Sequence, residues 1–310
     1  MEEISSFDEF YDIKLKPYLG ALKKQSRAAG YWGIAMVVHV ILVIPALVYG
    51  LAEASGARGN WIIAMTIALA IISIYKYTSL NDNYESNFKD QVIRQVIHFI
   101  HPGLLYKPDN YIPVSTYKKS SLYRSYYEYY EGNDLIEGTY RNVPFQCSAL
   151  SVSKSRGRQS YLTVFTGLFF AAPVRVSGCT YVWLKGHEQL PTSIADERYR
   201  LLPMPNVVKM DCRNGEFEKY YAVYTNDVAE AENLLTAELM HAITGFMLKI
   251  KRGITLSFVS GMCYVAIPFE ENLLEPQGED PGDKNEIRNY FFTVLLVLGI
   301  INKFQLDRLQ

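Results

Sequence analysis

Two stretches near the start of the chain are almost unbroken apolar text. The first is YWGIAMVVHVILVIPALVYGLA, Tyr31 to Ala52, and the second is WIIAMTIALAIISIYKY, Trp61 to Tyr77. The first matches the ~20 residues that carry a helix across a bilayer core. The second is shorter and gains reach if Lys76 snorkels to the interface. EASGARGN between them leaves room for a tight connection only. Backbone in lipid must satisfy its own hydrogen bonds, so the pair predicts a transmembrane helical hairpin over residues 31–80. Tyr31, Trp32, Trp61, Tyr75 and Tyr77 stand where interfacial aromatics collect. Ala52-Glu53-Ala54 imitates a signal-peptidase site, but the leader is too long and a second span follows.

Orientation follows from the basic residues. Lys14, Lys16, Lys23, Lys24 and Arg27 precede the first span, and Lys76, Lys89 and Arg94 lie at or beyond the end of the second. The loop has Arg58, offset by Glu53. By the positive-inside rule both termini are expected in the cytoplasm. His39 and Pro45 lie inside the first span. With no acidic partner in either span, His39 is expected as a neutral imidazole bonded to a carbonyl or to the neighbouring helix, not as part of a proton relay.

Helical periodicity continues on both sides of the hairpin. Phe7, Tyr11, Leu15, Tyr18 and Leu22 form one stripe and Tyr84, Phe88, Val92, Val96 and Phe99 another. Pro17 is expected to end one short helix near Lys16 and start the next. Residues 1–30 thus read as a cytoplasmic helical segment and 81–103 as a cytoplasmic stalk, the two stripes either zipping together or docking separately. His101-Pro102-Gly103 marks the end.

From 104 to 310 the pattern shifts to strand periods and reads as one cytoplasmic α+β domain. SYYEYYE, DLIEGTYRNVPFQCSALSVS, QSYLTVFTGLFFAAPVRV and GCTYVWLKG are rich in β-formers and suit an antiparallel meander. Gly132-Asn133-Asp134 is expected as a hairpin turn, with Tyr127 and Tyr129 on one strand face and Tyr126 and Tyr130 on the other. HEQLPTSIADERYRLLPMPN reads as a crossing loop. PNVVKMD and FEKYYAVYT follow as strands, and Asp227 with Glu230 as a capping box. Leu234 to Lys251 reads as helix, and ITLSFVSGMCYVAIPF as strand with a turn or bulge at Ser260-Gly261. A curved sheet closed by a helix, like a pleckstrin-homology barrel, is one shape consistent with this order. The apolar core of the last helix, Tyr290 to Ile301, falls short of a span and reads as buried or interfacial.

Composition adds little pull toward any ligand class. The formal net charge is -1 and aromatic residues make up 14% of the chain, so nucleic acid is not expected as a partner. The tyrosine stretch is rimmed by Glu128, Glu131, Asp134 and Glu137, which opposes a phosphate backbone. Cys147, Cys179, Cys212 and Cys263 form no C-x-x-C pair and fit a reduced compartment. His98 and His101 make a weak i, i+3 pair without further ligands, and no nucleotide or hydrolase motif is present. No cofactor, metal or catalytic residue is expected. Lys154, Arg156 and Arg158 form a basic loop that would attract anionic headgroups if it faced a bilayer, and otherwise a solvated hairpin tip.

FDEFYDIKLKPYLGAL, YYEGNDLIEGTYRNVPFQCSAL, VFTGLFFAA, FEKYYAVYTNDVAEAENLLTAELM and SFVSGMCYVAIPFEENLLEP, in this order, resemble a bacterial membrane family catalogued as a domain of unknown function, number three-one-three-seven. The resemblance implies a bacterial inner-membrane location, no assigned activity, and an occasional association with LemA-type membrane proteins. It supplies no catalytic residue. Relatives are expected to carry an acid near Asn133 and another at Ala149, positions where this chain departs with asparagine and alanine. The expected function is a membrane-anchored binding or scaffolding protein presenting its cytoplasmic domain to a protein or lipid partner, with self-association included. The alternative is an enzyme whose site assembles only in three dimensions, using Cys147, His187 or His241.

Overall fold

The computed structural model describes residues 7–52, 57–157, 160–188, 206–269, 273–276 and 280–310. The chain divides into two compact units, Met1–Phe99 with Leu274–Phe291, and Ile100–Leu273 with Phe292–Gln310. The loop expected over 187–206 lies, from 189 to 205, outside the described residues, as do residues 53–56 of the inter-helix connection.

In the first unit, α1 (Lys16–Ala52) and α2 (Ala57–Phe88) run antiparallel. Their register is fixed at spaced points. The Tyr77 ring lies over Gly33, and Asn87 Nδ2 donates to Gln25 Oε1 at 3.1 Å. His39 Nδ1 sits 2.6 Å from Ser73 Oγ. Ser73 Oγ already donates to the Leu69 carbonyl at 2.8 Å. Its proton is therefore committed, and the imidazole must be the Nδ1–H tautomer donating to the hydroxyl. That is the bond to the neighbouring helix expected of His39.

The apolar windows of these helices have almost no protein around them. Only 6% of the first and 11% of the second are buried. Ile34, Ile41, Ile44, Met65 and Ile71 face outward in the open. An apolar surface of this extent, on helices long enough to cross a bilayer, is what lipid covers. The helix from Lys284 to Arg308 also has the length and composition of a span, contrary to the reading of Tyr290–Ile301 as too short, but half of its window is buried by protein.

Away from those windows the two stripes come together. A π-turn, Tyr11–Leu15, precedes α1, and another, Lys89–Ile93, precedes α3 (Arg94–Ile100). The helix expected to break at Pro17 runs on instead. The Lys16 N–H reaches back to Tyr11 O, and this wider turn sets back the carbonyls that a pyrrolidine ring would strike. Phe7, Leu15, Leu22, Phe88, Val92 and Val96 are buried. The returning segment Leu274–Phe291 completes the packing. Phe10 stacks on Phe99 at 4.2 Å, Phe7 meets Phe291 at 5.2 Å, and Phe88 meets Tyr290 at 5.8 Å. Asp8 bridges Lys284 and Arg288 at 3.0 Å each, and Lys23 pairs with Asp280 at 2.5 Å.

The second unit is built on β1 (Leu105–Lys107), β2 (Tyr129–Tyr140), β3 (Val143–Gly157), β4 (Ser160–Pro173), β5 (Cys179–Leu184), β6 (Val208–Met210), β7 (Tyr221–Thr225), β8 (Thr255–Val259) and β9 (Met262–Pro268). They form one antiparallel sheet in the order β1-β2-β3-β4-β9-β8-β5-β7-β6. The architecture is α+β as expected, with an open strand order in place of a barrel. The hairpin expected at Gly132-Asn133-Asp134 is not a turn. The register shifts between Asn133 and Ile136, Asp134 takes φ 59°, and β2 runs straight through as a bulged strand. Asp134 is pulled toward β1, its N–H donating to Pro108 O at 2.8 Å and its carboxylate accepting from Tyr106 Oη at 2.5 Å. The true two-residue turns are Arg141-Asn142 (φ 50° and 63°) and Ser260-Gly261 (φ 54° and 73°), the positive-φ pairs that tight hairpins require.

One sheet face is aromatic. Leu150, Val152, Phe165, Phe169, Tyr181 and Tyr264 pack there with Tyr117 of α4 (Val114–Ser120). Tyr117 touches the rings of Tyr127, Tyr130 and Phe169 at 5.8, 5.4 and 5.4 Å. The expected alternation of the tyrosines fails because β2 begins only at Tyr129. Tyr127 and Tyr130 both join this cluster, and Tyr126 and Tyr129 stay exposed. The opposite face buries Cys147, Phe170, Phe258, Cys263 and Val265. The later helices are α5 (Gly215–Glu218), α6 (Val228–Leu234), α7 (Ala237–Ile250) and α8 (Lys284–Lys303). They bury their own apolar stripes, Leu239, Ile243 and Met247 on α7 and Val294, Val297 and Ile301 on α8. Each such side chain, fully buried, contributes ~1.5–3 kcal/mol.

Candidate interaction surfaces

The aromatic face is not covered along its whole length. Beyond α4 it opens into a trough of about 490 Å³, lined by Leu105, Thr116, Glu137, Gln146, Ala171 and Met262 among others. Strand register alone assembles it. Leu105 pairs with Glu137, Glu137 with Gln146, and Gln146 with Ala171, which puts these side chains in one row across the sheet. The small Ala171 gives the floor its depth. Glu137 accepts from Lys107 Nζ at 2.5 Å and from Gln146 Nε2 at 3.2 Å. Lys107 first, and then Gln146, hold its carboxyl below the usual range. Such a carboxylate is a fixed anchor, not a base poised near neutrality. Among the described residues no cysteine, histidine or serine lines the trough, so its geometry suits non-covalent binding.

A second surface lies where β2, β3 and β4 outrun the rest of the sheet. β9 pairs with β4 over Gly167–Pro173 only. The free end carries exposed Tyr126, Tyr129, Tyr161 and Leu162, with Tyr129 and Tyr161 in edge contact at 5.1 Å. Lys154 lies here on β3, opposite Leu162 and half-buried. Arg156 falls within β3, and Arg158 lies outside the described residues. Of the basic loop read from the sequence, Lys154 lies on the same strand face as the exposed Leu162.

The residues of the enzymatic alternative are not brought together. Cys147 and Cys263 are buried on the face opposite the trough, and burial pushes both thiols up. A neutral buried thiol is inert as a nucleophile. Cys179 is buried too, its thiol raised by the same desolvation. Cys212, half-exposed, is pushed up to about 11 by burial and by Glu218. His187 follows β5, whereas His241 is exposed on α7. Among the described residues no three His, Cys, Asp or Glu side chains group as metal ligands.

One polar joint was only half legible. Asp227 caps α6 by accepting from the Glu230 N–H at 2.9 Å, the first half of the expected box. The Glu230 carboxylate does not return to Asp227. It reaches across to the strand-leading loop, accepting from Ser177 N at 2.7 Å, Ser177 Oγ at 2.8 Å and Gly178 N at 2.8 Å. The Ser177 backbone N–H leads in holding this carboxyl below its ordinary value. The adjacent Cys179 N–H donates to Asn226 Oδ1 at 2.7 Å, so the loop and the start of α6 are pinned together just ahead of β5.

Residues 163–306 match the family described as Protein of unknown function (DUF3137), the family that the sequence resemblance indicated. No curated protein and no solved structure matches the chain.

Proposed function

We propose that this chain, whose residues 163–306 match the DUF3137 family, is a membrane-anchored binding or scaffolding protein. The hairpin α1–α2 inserts into the bacterial inner membrane with both termini in the cytoplasm, and the sheet domain is offered to a protein partner at that face. A LemA-type membrane protein is one such partner, and a second copy of the chain is another. The observation that carries this reading is a contrast. The apolar windows of the two hairpin helices are only 6% and 11% buried, a surface suited to lipid, while the sheet domain offers an open trough and an exposed aromatic strand end with no reactive constellation among the described residues. The lysines and arginines flanking the hairpin support the orientation.

Affinity purification of the full-length chain from mild detergent tests the function. A reproducible partner, self included, is the expected outcome, and recovery of none counts against the reading. Orientation is tested on spheroplasts with a cysteine introduced at the exposed Tyr126. Resistance to an impermeant maleimide is expected until the cells are lysed, and labelling from outside would invert the topology.

A further inference from the structure

We propose that the outer edge of β4 over Ser160–Phe165 is a self-recognition strand, through which two copies of the chain pair antiparallel. Such pairing gives the anchored scaffold described above a partner, and it rests on that reading.

Among the described residues the backbone of this segment is paired on one side only. β3 holds the inner side, with Tyr161 opposite Ser155, Leu162 opposite Lys154 and Thr163 opposite Ser153. On the outer side the β9 ladder begins only at Gly167, with Phe269 N–H reaching Thr166 O at 3.0 Å. Among the described residues no strand continues along Ser160–Phe165. Among the described residues nothing pairs with the outward N–H and C=O groups of this segment, and such a row is a template for another strand.

The sheet's formal edges behave differently. β1 and β6 are three residues each, and brevity is one of the ordinary ways of making an edge unreceptive. Among the described residues the β4 edge shows none of these protections. Tyr-Leu-Thr-Val-Phe is rich in β-branched and aromatic residues. No charged residue occurs between Ser160 and Pro173, and the only proline is the last residue. Tyr161 is 61% exposed and Leu162 43%.

Charge selects the occupant. An acidic or basic peptide would find nothing to complement on this strand. Its own copy is equally uncharged, so antiparallel pairing about a two-fold axis sets no like charges opposite each other. The hairpin anchor adds to this. Copies held in one membrane share a plane and an orientation, which raises their effective concentration well above that of a free peptide. Pairing at this edge joins two sheets into one and leaves both troughs unobstructed by the strand register, because the trough is built from the other end of β4.

The test uses the full-length chain in detergent or nanodiscs, with mass measured by light scattering across a concentration series. Thr163 is exposed and faces no charge across the ladder, so Thr163→Lys adds a charge to the edge without touching the core. Thr163→Val is the neutral control, and Val208→Lys places the same charge on the short β6 edge. Wild type, Thr163→Val and Val208→Lys should be dimeric, with Thr163→Lys dimerising about tenfold more weakly or worse. Circular dichroism shows whether Thr163→Lys still folds. If it does not, oxidative cross-linking of single cysteines introduced over 160–165 decides the matter, with covalent dimers expected. A monomeric wild type, a Thr163→Lys variant as dimeric as wild type, or no cross-link at any position overturns the proposal. If the chain stays monomeric but recovers a different protein, the strand proposal fails and the scaffolding reading stands.

Discussion

Replacing Glu230 by glutamine should loosen the joint ahead of β5 in a pH-dependent way. In Glu230→Gln the carbonyl oxygen can keep the position that accepts from Ser177 N and Ser177 Oγ, but the amide nitrogen then faces the Gly178 N–H, donor against donor. Hydrogen bonds to a charged acceptor contribute ~1.5–3 kcal/mol and neutral ones ~0.5–1.5 kcal/mol. Two weakened bonds and one lost bond give ~3 kcal/mol. The carboxylate is partly exposed, so solvent screening reduces this to ~2 kcal/mol at neutral pH. The sign of the pH dependence follows from the depressed carboxyl. A group ionised more readily in the folded state stabilises it above the unfolded pKa of ~4.3, and that contribution fades as pH falls through the lower folded value. The gap between wild type and Glu230→Gln should therefore be constant from about pH 8 to 5.5 and close below about pH 4. Urea unfolding of the full-length chain reports it. Trp183, buried and stacked on Tyr181 at 4.9 Å, serves as the fluorophore in a background where Trp32 and Trp61 are phenylalanine. A gap that is absent at pH 7, or that widens in acid, would refute the reasoning.

Two further outcomes are expected. Gly167 has φ 150°, and a Cβ there would stand 2.1 Å from Ile267 O and 2.7 Å from Phe269 N, both backbone atoms. Gly167→Ala should destabilise the second unit by ~3–5 kcal/mol through strain and forced separation of β4 from β9, and a loss under ~1 kcal/mol in the same urea assay would show that the strands part easily. Cys147, Cys179 and Cys263 are buried and Cys212 is half-exposed, so the native chain should label at Cys212 first and at the others only on denaturation. Because the Cys212 thiol is pushed up to about 11, its labelling rate should rise about tenfold per pH unit near neutrality; fast labelling of a second thiol would contradict the burial.

The hairpin helices were legible because an unbroken apolar run of spanning length, such as Tyr31 to Ala52, is a local pattern, and no distant partner is needed to read it. Turns were legible in kind but not in use. Asn133-Asp134 and Arg141-Asn142 both adopt positive φ at one or both positions, and only the pairing partners Pro108 and Tyr106 decide that the first is a bulge. Pro17 was misleading because a π-turn just upstream relieves the clash that normally ends a helix. The trough was invisible in the sequence, since Leu105, Gln146, Ala171 and Met262 become neighbours only through strand register. Glu230 shows the same limit at short range. Its spacing from Asp227 announced a cap, and nothing in the text announced Ser177.

The packing of Leu274–Phe291 against the helices at the other end of the chain imposes an order of events during synthesis. Phe88, Val92 and Val96 emerge from the ribosome long before Ile287 and Tyr290, which are buried in the same unit. Residues 100–273 must be made in between, a delay of ~10–35 s at ~5–20 residues per second. For that interval the apolar faces that Leu274–Phe291 later packs against are sticky and unfinished, and a nascent chain stalled or cleaved within it would leave the first unit's helices with a greasy collar and nothing to close it.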